Sequence, residues 1–136
     1  MRGTFVAAGL AAGLFAAPAL AFARDCADAA TQSDMTACYG DAFKAADKAL
    51  NATYARIGQR LRDDPDTKKL LVTAERAWVA FRDAECAFSA SGAEGGTIFP
   101  MTVSICMTEL TKARTAQLAT FLTCEEGDVS CPVPGE

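Results

Sequence analysis

No histidine occurs anywhere in the 136-residue chain. That removes Ser-His-Asp triads, His-assisted metal centres and c-type haem attachment, because each depends on an imidazole. The six cysteines include no C-x-x-C pair, so they lack the spacing of a zinc site. There is no excess of positive charge: the formal net charge is −4, a modestly acidic balance that disfavours nucleic acid, whose binding rests on neutralising phosphates. Past residue 23 no apolar run approaches the roughly 18 residues that cross a bilayer. There is no internal repeat and no alternation long enough to build a sheet.

What is present begins with "MRGTFVAAGLAAGLFAAPALAFA", residues 1–23. One arginine precedes an apolar stretch that ends in two small-x-small sites, Ala19-Leu20-Ala21 and Ala21-Phe22-Ala23. This reads as a secretory signal peptide cut after Ala23, with Ala21 the alternative. Arg24 and Asp25 stand before Cys26, so no lipid anchor is expected and the product carries no membrane anchor. Residues 24–136 form one domain by length, periplasmic or secreted. Losing Arg2 takes the basic residues from 13 to 12 against 17 acidic. Six cysteines in an oxidising compartment predict three disulfides.

The fold class is all-α, an antiparallel three-helix bundle stapled by disulfides. Thr31, with Asp34 three residues on, starts the first helix as a capping-box-like pair. Met35, Tyr39, Ala42, Ala46, Leu50, Tyr54, Ile57 and Leu61 then recur every three or four residues, one face of a long helix. "RDDPDT" interrupts it: Pro65 suits the first turn of a second helix, Asp64 is its N-cap and Asp66 is favourable in that turn. Along this helix Leu71, Ala74, Trp78, Phe81 and Phe88 keep the spacing, and it stops near Gly92. After the loop "SGAEGGTIFP", Pro100 opens a third helix with the stripe Val103, Met107, Leu110, Arg114, Leu118 and Phe121. The tail, about 123–136, has two prolines and little apolar content and reads as irregular, fastened by its cysteines.

Three such helices put the start of the first, the end of the second and the start of the third at one pole. Cys86 to Cys106 fits across that pole. Cys26 to Cys38 closes the leading strap, and Cys124 to Cys131 closes the tail at the other pole. The main alternative pairs Cys38 with Cys86 or Cys106 and reassigns Cys26. The same geometry sets charges level with one another. A turn near residue 63 places Asp47 opposite Arg82, and a turn near residue 94 places Glu75 opposite Arg114. Two interhelical ion pairs, Asp47 with Arg82 and Glu75 with Arg114, are predicted. Arg76, Asp83 and Asp64 read as solvated.

Catalysis has few candidates. Asp83 and Glu85 are the nearest carboxylate pair, but residues two apart on a helix point away from each other and cannot flank one bond. The chain therefore reads as a non-enzyme with no catalytic residue, no metal and no cofactor. Trp78 beside Phe81 reads as core rather than a ligand platform. Asn51-Ala52-Thr53 matches a glycosylation sequon, discounted mid-helix behind a bacterial signal.

The segments "DCADAATQSDMTACYGDAF", "ADKALNATY", "AERAWVAFRDAEC", the Gly95-Gly96 loop and "CMTELTKARTAQL" together resemble the LprI-like family of secreted bacterial proteins, named for a lysozyme inhibitor. The resemblance runs from Cys26 to about Leu118. It implies a small, mostly helical, disulfide-bonded envelope domain and suggests lysozyme, or another cell-wall hydrolase, as partner. On the residues themselves, the loop is the most insertable feature. Gly95, Gly96, Ser91 and Thr97 offer donors to a catalytic carboxylate, while Glu94 would have to face basic residues at the rim of the cleft. The competing readings are a plain helix connection and an envelope interaction or structural protein with another partner.

Overall fold

A computed structural model of the chain describes residues 26–135. The segment read as a signal peptide, 1–23, lies outside the described residues. Three helices carry the architecture: α1 (Gln32–Arg60), α2 (Pro65–Ser89) and α3 (Phe99–Thr120). Short 3-10 turns cover Cys26–Asp28, Ser91–Ala93 and Phe121–Thr123, and the described residues contain no strand.

The helix ends follow from local chemistry. Thr31 caps α1: its hydroxyl accepts from the Asp34 N–H at 3.1 Å and donates to the Asp34 carboxylate at 2.8 Å. The reciprocal bond of this box closes on the hydroxyl, because an aspartate is one methylene too short to match the usual glutamate. Asp64 caps α2 by accepting from the Thr67 N–H at 3.0 Å, and Pro65 fills the first turn. That backbone N–H holds the Asp64 carboxyl below its ordinary value of 3.8.

α1 and α3 run parallel. Gln32 Nε2 donates to Met101 Sδ at one pole, and Arg60 Nη1 donates to the Leu122 carbonyl at the other. α2 runs antiparallel to both, giving an up-down-up bundle. α3 approaches α1 more closely than it approaches α2, and α2 reaches α1 mainly through side chains. Small residues allow that approach: Ser104, Thr108, Thr111 and Thr115 share one face of α3, and Thr108 and Thr111 are buried there. Thr108 and Thr115 donate to the carbonyls of Ser104 and Thr111, which removes most of the cost of hydroxyls in a seam. The Thr111 hydroxyl has no partner among the described residues.

The core gathers Leu50, Ile57, Leu61, Leu118 and Val133, with Tyr54, Leu71, Trp78, Phe121 and Leu122 packed around it. Three sequence expectations are corrected here. Phe81 and Phe88 are not in the stripe of α2 that faces the bundle; they stand 53% and 76% exposed. Glu75 must face Arg114 and Cys86 must face Cys106, and those two constraints rotate α2 so that Leu71, Trp78 and Arg82 turn inward instead. The stripe on α3 divides, because this helix serves two neighbours. Leu118 is buried, whereas Val103, Met107, Leu110, Arg114 and Phe121 are half-buried. Finally, the tail is irregular but does more than hang from its cysteines, since Val133 is only 3% exposed and completes the core.

Candidate functional site

The pole shared by the starts of α1 and α3 and the end of α2 is the most heavily cross-linked part of the molecule. Cys26 is joined to Cys38 and Cys86 to Cys106 there, and Cys124 is joined to Cys131 in the tail. No cysteine among the described residues is free. A disulfide stabilises mainly by restricting the unfolded chain, about 2 to 4 kcal/mol for loops of ordinary length.

Between α2 and α3 the connection folds as overlapping turns. The N–H of Ala93 donates to Ala90, that of Glu94 to Ser91, that of Gly96 to Ala93 and that of Phe99 to Gly96. Gly95 takes φ +77°, a conformation costly for any side-chain-bearing residue. At Gly96 a Cβ would lie 3.1 Å from the Ala93 carbonyl oxygen, a tight approach that the carbonyl must relieve by shifting slightly. Ser91, Glu94, Gly95, Gly96 and Thr97 are all exposed. The amides of Gly95 and Thr97 and the hydroxyls of Ser91 and Thr97 make no hydrogen bond to another described residue. Ile98 starts α3 without a side-chain cap, so the positive end of that helix dipole opens onto the loop. Glu94 is the one charge in the loop.

Behind this pole the ion pairs fix the helices. Arg114 of α3 donates through Nε to Glu75 Oε1 of α2 at 2.7 Å, and Nη2 reaches the same oxygen. Both side chains are largely buried. Arg82 sits 5.3 Å from the ring centres of both Phe43 and Trp78, and its Nη1 lies 3.6 Å from Asp47 of α1. Its nearer partner is Asp83, at 2.7 and 2.9 Å from two guanidinium nitrogens. Asp83 is exposed, as the sequence reading has it, and from that solvent-facing position it also supplies the close counter-charge for Arg82 as the arginine enters the bundle. Asp83 and Glu85 are both exposed and stand two residues apart on α2, a spacing that turns their side chains away from each other. No group of three or more potential metal-binding His, Cys, Asp or Glu residues occurs among the described residues.

The family model described as "Lysozyme inhibitor LprI" matches residues 24–118. The chain belongs to the LprI lysozyme inhibitor family. An uncharacterized protein of Rhizobium meliloti (strain 1021) is 36% identical over 105 residues, covering 69% of this chain and 76% of the relative. No solved structure matches. The LprI match spans the Cys26–Cys38 and Cys86–Cys106 disulfides, both interhelical ion pairs and the whole glycine loop, and ends within α3. The Cys124–Cys131 tail with Val133 falls beyond it. Sequence reasoning missed Val133 and the aromatic seat of Arg82. For Val133 the one signal was an apolar residue between two prolines just after a cysteine; for Arg82 it was the four-residue step from Trp78.

Proposed function

We propose that this protein is exported after removal of 1–23 and inhibits lysozyme without catalysing a reaction, using the pole formed by the Gly95-Gly96 turn. The LprI family match over 24–118 is the observation that carries the reading. The chemistry of the pole supports it. Lysozyme works with two carboxyl groups in a cleft, and a narrow turn presenting unsatisfied N–H and O–H groups at an uncapped helix start suits such an acidic target. Glu94 then faces the rim, where basic residues of the enzyme attract it, and the acidic surface of the inhibitor speeds the encounter.

The decisive measurement titrates the purified protein against lysozyme acting on a cell-wall substrate. Lytic rate falls as inhibitor is added, and Glu94→Lys weakens inhibition by roughly tenfold at low salt, less at high salt. Unchanged lysis at micromolar excess ends the reading. Inhibition unaffected by Glu94→Lys and by Ser91→Ala with Thr97→Ala moves the contact away from this loop.

A further inference from the structure

The outer side of α2 carries a row the bundle does not use. Leu70, Ala74, Ala77, Phe81, Ala84 and Phe88 are all exposed, Leu70 at 70%. They recur at alternating steps of four and three, the spacing of a helix–helix seam, and no charged residue lies within the row. Single exposed apolar side chains are ordinary; a continuous row along a helix is not.

The row is also nearly its own mirror when read from either end. Laid antiparallel on itself, it sets Leu70 against Phe88, Ala74 against Ala84, and Ala77 against Phe81. Large faces large at both ends, and in the middle each phenylalanine faces an alanine. A contact between identical surfaces about a twofold axis demands this self-complementarity, and a surface shaped for an unrelated partner has no reason to possess it.

We propose that α2 of one molecule packs antiparallel on α2 of a second copy through this row. The alanines let the two helices come close, and each Phe81 covers Ala77 of the other copy. At each end Phe88 of one copy reaches Leu70 of the other. Leu70 is the rim of an apolar cavity of about 430 Å³, lined also by Leu61, Leu71 and Val133. The row thus ends at a recess suited to an incoming aromatic ring. A seam about 27 Å long and one helix face wide buries on the order of 1,000 Å² in total, which places the pair among weak, reversible dimers. The glycine turns sit at opposite ends of the pair, so the proposal stands independently of what those turns bind.

Sedimentation of the signal-free, oxidised protein from about 1 to about 500 µM tests it. The mass doubles over that range. Phe81→Glu weakens association at least tenfold while helicity and Tm hold, because Phe81 lies outside the core. Leu70→Lys and Phe88→Glu each weaken it, and the double variant L70K/F88E associates more tightly than either single, since those two positions face each other only in the antiparallel register. A wild type that stays monomeric, a dimer indifferent to Phe81→Glu, or a double variant no tighter than the singles each overturns the proposal. A monomer whose lysozyme inhibition is lost in Phe81→Glu assigns the face to lysozyme instead.

Discussion

At the scale of single residues, Arg82 and Arg114 differ in how their charge is compensated. Arg114 meets one carboxylate from another helix in a largely buried place. Arg82 meets an adjacent, half-exposed aspartate, a more distant one on α1, and two aromatic faces. Removing Arg114 alone strands the Glu75 carboxylate, so Arg114→Ala lowers stability by about 3 kcal/mol, read by thermal or urea unfolding. Replacing Glu75 and Arg114 together by apolar residues of similar size costs less than that single change, because no charge is left unpaired. A near-neutral Tm for Arg114→Ala would place the pair on the surface. The levels of these pairs were legible in the sequence, because two turns near residues 63 and 94 fix which residues lie side by side. The engagement of Asp83 was not, since an exposed-looking acid beside an arginine carries no sign of whether that arginine points in or out.

At the scale of the element, α2 illustrates how a sequence with two apolar rows can be read on the wrong side. Leu71 and Trp78 belong to one row; Phe81 and Phe88 belong to the other, about a quarter of a turn away. Hydrophobicity alone favours the row with more aromatics, whereas the Cys86 bridge and the Glu75 pair select its neighbour. Accordingly Trp78→Ala costs about 3 kcal/mol by leaving a hole against the core, while Phe88→Ser leaves Tm within about a degree. Equal losses from both would mean that α2 is turned as its aromatic content suggests. The starts of all three helices were readable from Thr31, Asp64 and Pro100, because caps and proline act locally. The face of α3 was not, because a row of serine and threonine looks polar until a second helix is seen to lie against it.

At the scale of the whole molecule, the all-α class and the pole sharing the three helix ends were open to reasoning from spacing and cysteine placement. The closing of the other pole was hidden. It depends on a tail whose composition suggests solvent and whose one buried side chain, Val133, reaches across to Ile57, Leu61 and Leu118. Ending the chain at Thr123 uncovers these residues. The expected outcome is a loss of about 2 kcal/mol or more, the burial of one valine plus the loop constraint of Cys124–Cys131, together with stronger binding of an apolar dye. Unchanged stability would show the tail to be passive.

The parallel run of α1 and α3 also bears on how the chain reaches this state. Partners across the α2–α3 hairpin such as Cys86 and Cys106 are 20 residues apart, whereas Gln32 and Met101 in the α1–α3 seam are 69 apart. Closing the longer span costs about 1 kcal/mol more in chain entropy, and none of the α1 seam contacts repays it until α3 has formed. The α2–α3 hairpin is therefore expected to form before α1, the longest of the described helices, docks on it; pulsed hydrogen exchange during refolding would read this as earlier protection in α2 and α3, and equal protection times would refute it.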